Sequence, residues 1–159
     1  EAAVGSAELQ AAIEAAEEGH VKVRLEAYKE QCAGRKRAEE DLGRAMTFLG
    51  SRRLDGLLTE LGRRAVKVHS DEAQEECNRR KEAEWKLQEA VNTIGSVGLR
   101  VVLSELERDS VQVDLSVAQG ECTVREEAEK ALRDARQHPS SAALVDIIED
   151  VKGRGVKVS

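Results

Sequence analysis

Leu54, Leu57, Leu58 and Leu61, and again Leu99, Val102, Leu103 and Leu106, fall at i, i+3, i+4 and i+7, the spacing of one face of an α-helix. A Gly–Ser pair stands just before each stripe, Gly50–Ser51 and Gly95–Ser96, and the same pair precedes Leu9 at Gly5–Ser6. Ser140–Ser141 holds that place before Leu144, just after Pro139. Each serine reads as an N-cap whose hydroxyl satisfies an unpaired backbone N–H at the start of a short helix. The stripe predicts about 12 residues for that helix. Beyond it come Val21, Val66, Val111 and Val156, each followed two residues on by Val23, Val68, Val113 and Val158. A turn lies between, carrying Gly19 in the first copy, Asp109–Ser110 in the third, and Gly153 and Gly155 in the fourth. The Val-x-Val pair leads into a second helix of about 22 residues, with Ser70 or Asp114 as its cap.

The second helix repeats as well. QCAGRKRAEEDLGRA at 31–45 returns as ECNRRKEAEWKLQEA at 76–90 and ECTVREEAEKALRDA at 121–135, so Cys, Arg, Ala, Glu, Leu and Ala recur every 45 residues. Two helices and two short connections per period make an αα-hairpin repeat, with copies at 1–45, 46–90 and 91–135 and a half copy at 136–159. A lone hairpin cannot bury its apolar stripe, whereas stacked hairpins bury one another's. In period and hairpin pattern the chain resembles the armadillo and HEAT superfamily of helical repeats. The expected fold is therefore all-α: one right-handed α-solenoid domain over 1–159, three full repeats and a half. The half copy leaves Leu144, Ile147, Ile148 and Val151 short of cover, and the chain opens on Glu1. The opening on Glu1 rather than Met reads as either a removed leader or a piece of something longer, and the uncovered half copy leads us to expect a fragment of a longer array.

Only 2% of the chain is aromatic, which leaves Ala, Val and Leu to do the packing. The formal net charge of −6 opposes binding to nucleic acid and to anionic membranes. The basic runs Arg35–Lys36–Arg37, Arg63–Arg64 and Arg79–Arg80–Lys81 lie beside acidic residues and read as solvated helix faces. No apolar run approaches membrane-spanning length, so no membrane insertion is expected.

Cys32, Cys77 and Cys122 occupy one site on successive long helices. Packed helices lie about 8–10 Å apart, whereas a disulfide needs Cα atoms within about 7 Å. They are expected to be buried thiols in a reducing compartment, the cytoplasm or an organelle lumen such as the stroma. His20, His69 and His138 do not recur and form no nucleophile–base arrangement, and no phosphate-binding glycine loop exists. The expectation is a protein that is not an enzyme, with no metal and no cofactor.

Arg35 and Glu39 fall inside the helical arc marked by Tyr28, Cys32 and Leu42, as do Arg80 and Glu84, and Arg125 and Glu129, on their own helices. Charges there must be paired, and i, i+4 spacing lets each Arg reach its own Glu, with a neighbouring copy also in range. This predicts a structural ladder fixing register between copies; the rival is an Arg column lining a groove for an acidic ligand. Positions that differ between copies are left for binding: Lys36, Arg37 and Glu40, then Lys81, Glu82, Trp85 and Glu89, then Lys130. Trp85 stands where Glu40 and Lys130 stand, so it is either stapled to a local surface or kept for a partner.

The resemblance implies a protein-binding scaffold or adaptor, serving protein partners in a multi-subunit assembly. Two other readings remain open at this point: a nucleic-acid-binding helical repeat using the Arg/Lys clusters, and a structural helical bundle of the cytoskeletal kind.

Overall fold

The computed structural model describes residues 5–20, 24–137 and 141–158, without the side chains of Ser141 and Ala143. Val21, Val23, His138, Pro139 and Ser140 lie outside the described residues. Among the described residues there are seven α-helices and no strand: α1 Ser6–Glu18, α2 Glu26–Met46, α3 Arg52–Arg63, α4 Asp71–Asn92, α5 Val97–Arg108, α6 Ser116–Gln137 and α7 Ser141–Gly153. They alternate short and long, at 13, 21, 12, 22, 12, 22 and 13 residues, close to the lengths the sequence predicts. No described helix is long and apolar enough to cross a membrane. The chain falls into two compact units, Glu1–Lys81 and Glu82–Ser159, dividing inside α4.

In the first unit α1 lies against α2, with Leu9, Ile13 and Cys32 between them. A larger core forms where α2, α3 and the first turns of α4 meet, from Ala38, Leu42, Ala45, Leu54, Leu61, Val68, Ala73 and Cys77. The second unit repeats the recipe with Ala83, Leu87, Ala90, Leu99, Leu103, Leu106, Val113, Ala118 and Cys122. Leu54 and Leu99, the first leucines of their stripes, are both 0% exposed. A methyl or a thiol shares the core with each of these leucines, so the interior closes without aromatic bulk. Tyr28 does not join this arc as the helical wheel suggested: it is 49% exposed, whereas its equivalents Ala73 and Ala118 are buried. The slot fits a methyl group, and a phenol ring stays outside it.

Each short helix ends in the same way. His20, Ala65, Ser110 and Gly155, spaced 45 residues apart, all have positive φ, at 53°, 52°, 51° and 66°. The amide of Ala65 donates to Gly62 and that of Val66 to Leu61; Ser110 donates to Glu107 and Val111 to Leu106; Gly155 donates to Lys152 and Val156 to Val151. These pairs are Schellman caps, in which a left-handed residue lets two amides satisfy terminal carbonyls. The recurring first valine is the apolar residue just after that cap, and Val66 packs with Leu61 in the core. Only the fourth copy uses glycine at the left-handed position, so the other three carry backbone strain. Ala65→Gly and Ser110→Gly should each raise stability by about 0.5–1 kcal/mol, and Gly155→Ala should lower it by a similar amount. Denaturant midpoints that fall for the first two would contradict these caps.

Candidate functional site

The side chains of Arg80 and Arg125 are buried at 1% and 0% exposure, and they make equivalent sets of hydrogen bonds. Nε of Arg80 donates to Glu76 at 2.6 Å, Nη2 to the Met46 carbonyl at 2.7 Å, and Nη1 to Phe48 at 2.6 Å and Gly50 at 3.2 Å. Nε of Arg125 donates to Glu121 at 2.8 Å, Nη2 to Val91 at 2.6 Å, and Nη1 to Thr93 at 2.8 Å and Gly95 at 3.0 Å. The three carbonyls lie 34, 32 and 30 residues back, at the end of the preceding long helix and just beyond it. Gly50 and Gly95, at φ 82° and 91°, turn the last of them toward the arginine. Arg35, half-buried, makes the equivalent bond to the Gly5 carbonyl at 3.2 Å.

The acidic member of the predicted ladder goes elsewhere. Glu129 accepts the Ser96 amide at 2.9 Å and the Ser96 hydroxyl at 2.7 Å. Glu39 does the same for Ser6, taking its amide at 2.8 Å and its hydroxyl. Two expectations are corrected here. The carboxylate that Arg80 and Arg125 take is one turn back, Glu76 or Glu121, rather than Glu84 or Glu129 one turn ahead. Helical side chains lean toward the N-terminus, so the backward reach is the natural one. The serine hydroxyls also do not cap their own helices: α1 and α5 have no side-chain cap bond. The long helix brings the capping carboxylate from 33 residues further on, to the positive end of the short helix. At the long helices Asp114 accepts from the Ser116 amide and hydroxyl, which hold its carboxyl below the ordinary range. Ser70 contributes its carbonyl, to the Gln74 amide.

Cys32, Cys77 and Cys122 are buried free thiols. Burial and the adjacent Glu126 carboxylate, 3.3 Å from Sγ, push the Cys122 thiol upward and keep it protonated. Among the described residues no three His, Cys, Asp or Glu side chains converge as a metal site. The inward charges therefore work within the structure, and the candidate binding surface is the outward one.

Lys36, Arg37 and Glu40 on α2, Lys81, Glu82, Trp85 and Glu89 on α4, and Lys130 on α6 are all exposed. On α4 the indole is 63% exposed. Glu82 is paired with Lys86 at 2.7 Å, which lowers the carboxyl pKa and raises that of the amine. Lys81 is paired with Asp55 at 2.5 Å. Lys81, Trp85 and Glu89 share one face at i, i+4 and i+8.

Two surface features escaped the sequence reading. A cleft of about 700 Å³ opens between α2 and α3, lined by Arg35, Arg37, Arg64 and Lys67 with Asp41 and Glu60. Gly34 helps to open it, standing where the later copies carry Arg79 and Val124, and a Cβ there would meet nothing within 4 Å. A mid-helix glycine out of step with its repeats was the available signal. In the second unit Ile94, Val97 and Val101 are exposed at the start of α5, where the second copy has Leu49, Arg52 and Gly56.

His69 and Glu8 form an exposed pair at 2.9 Å that raises the imidazole pKa and lowers the carboxyl pKa. The histidine's contribution is complete below its ordinary value near 6.5 and is lost as pH rises through its raised value. That of Glu8 is complete above the ordinary carboxylate range and is lost as pH falls. An NMR titration should place His69 above an ordinary histidine, and Glu8→Gln should return it downward; an unchanged midpoint would remove the pair. For the interior, Arg80→Ala strands three carbonyls and a carboxylate and should cost about 3 kcal/mol or more. Arg37→Ala, at the surface, should cost under about 0.5 kcal/mol. Equal small effects in chemical denaturation would contradict the buried role of Arg80.

In comparisons with protein-family models, with curated proteins and with solved structures, the chain matches none.

Proposed function

We propose that this chain is a non-catalytic helical-repeat scaffold, its hairpins stacked as a right-handed solenoid, which binds a protein partner in a multi-subunit assembly. The observation that carries the reading is Trp85, a large indole 63% exposed on a helix whose other outward positions are polar or charged. Leaving an indole in water forfeits the burial it gains elsewhere, and tryptophan is the side chain most enriched at binding hot spots. Lys81, Glu82 and Glu89 around it supply a polar rim of both signs, the surrounding that excludes water from an interface anchor. The buried free thiols support a reducing compartment.

One observation favours a second reading. The four cations of the α2–α3 cleft against two carboxylates would suit a nucleic-acid backbone.

The test is Trp85→Ala measured against the protein partner recovered by photo-crosslinking from position 85. Affinity should fall by about 2 kcal/mol, roughly 30-fold, with the thermal midpoint unchanged. A substitution that unfolds the chain, or leaves affinity intact, removes the anchor. Binding to RNA or DNA that weakens steeply with salt and is lost in the Arg37→Ala, Lys67→Ala double variant would replace the scaffold reading with the second.

A further inference from the structure

The α2–α3 cleft carries charge that the frame does not use. Of its two carboxylates, Asp41 is held by Arg44 at 2.8 Å, and Glu60 by Arg63 at 3.0 Å and Arg64 at 3.3 Å. Arg35 donates to the Gly5 carbonyl and belongs to the frame. Arg37 on α2 and Lys67 just past α3 remain, both exposed. Among the described residues neither side chain forms an ion pair or a hydrogen bond. Glu40, three residues beyond Arg37, does not line the cleft.

The repeat does not require this charge. In the next copy Glu82, Lys86, Glu105, Asp109 and Gln112 stand where this one has Arg37, Asp41, Glu60, Arg64 and Lys67. There Lys86 pairs with Glu82 at 2.7 Å and also feels the fields of Glu105 and Asp109. Gly34 is equally dispensable to the frame. A glycine inside a helix costs stability relative to alanine, yet a Cβ here would meet nothing within 4 Å. Its effect is to leave the cleft unobstructed.

Beneath the two cations the lining is apolar, with Leu57 and Val66 half-buried over the buried Ala38 and Leu61. None of the lining side chains is aromatic, so a nucleotide base would find no stacking surface. Phosphates alone would meet the cations and leave the apolar floor wet. A peptide can satisfy both.

We propose that this cleft seats an acidic segment of the protein partner, an aliphatic side chain resting on Leu57 and Val66 and flanking carboxylates reaching Arg37 and Lys67. The volume of about 700 Å³ falls within the range of ligand pockets. Covering the floor excludes water and strengthens both ion pairs. The proposal rests on the scaffold reading and gives that partner a contact separate from Trp85.

The probe is a fluorescein-labelled peptide, Glu-Asp-Leu-Leu-Asp-Glu, titrated by anisotropy into the intact chain. It should bind saturably, and more weakly as salt rises. Replacing its acids by Gln and Asn, or its leucines by alanine, should each weaken binding about tenfold or more. The Arg37→Ala, Lys67→Ala double variant should lose the peptide. Gly34→Leu should lose it too, because it fills the cleft from a position where a side chain has room and leucine favours the helix. Both variants should keep the parent's helicity by circular dichroism. Trp85→Ala should leave peptide affinity unchanged, so peptide failure with the crosslinked partner still dependent on Trp85 removes this site alone. Absence of saturable binding, binding that survives either cleft variant, or full affinity for the alanine peptide overturns the proposal. A short single-stranded DNA that binds more tightly than the peptide, through Arg37 and Lys67, overturns it in favour of nucleic acid.

Discussion

A guanidinium taken out of water and a helix end short of hydrogen-bond donors are each costly alone, and this chain meets both demands with one contact. Burying an arginine costs several kcal/mol unless its donors are all used, and the last carbonyls of an α-helix have no partners of their own. Arg80 and Arg125 bring these two deficits together. Because the acceptors lie 30 to 34 residues back, the short helix, its cap and both connections must return the chain to one place in each copy. The carboxylates of Glu39 and Glu129 serve the opposite deficit, the free amides at the start of a short helix. Positive charge at a C-terminus and negative charge at an N-terminus are the signs the helix dipole favours.

Much of this plan was legible in the chain because periodicity is a local property. The stripes Leu54–Leu61 and Leu99–Leu106 set the short helices and filled the cores, and the thiols lay inside them as their shared position implied. Position 85 was legible as one that solvent tolerates because its equivalents Glu40 and Lys130 are charged. The partners of the ladder were not. Spacing of i, i+4 is symmetric, and only the lean of side chains toward the N-terminus favours Glu76 over Glu84 for Arg80. A backbone carbonyl, moreover, carries no residue identity, so Met46, Phe48 and Gly50 gave no sign of being arginine ligands. The left-handed caps were hidden for a related reason. His20, Ala65 and Ser110 lack the glycine that normally marks such a turn, and only their register with Gly155 reveals it.

Inside and outside consequently obey different rules. Inward positions are tied to helix ends by geometry that every copy must satisfy. Outward ones are held by little more than exposed ion pairs such as Arg63–Glu60, which contribute about 1 kcal/mol or less. The surface can change from copy to copy without disturbing the frame. Gly34 opens a basic cleft in one copy, while Ile94, Val97 and Val101 make an apolar start to α5 in another.

The three thiols give the molecule a further property. A buried Sγ reacts only when its surroundings open, so the rate at which an alkylating reagent marks each cysteine reports the free energy of local opening. Cys32, Cys77 and Cys122 sit at one position in three successive long helices, each close to the first leucine of a short-helix stripe. The chain thus carries one internal clock per copy, each set beside a different side chain, Gln10, Asp55 or Glu126. Once each rate is divided by that thiol's own reactivity in the unfolded chain, the opening free energies would measure how cooperatively the copies come apart: one shared value for an all-or-none event, and three separate values for copies that loosen one at a time.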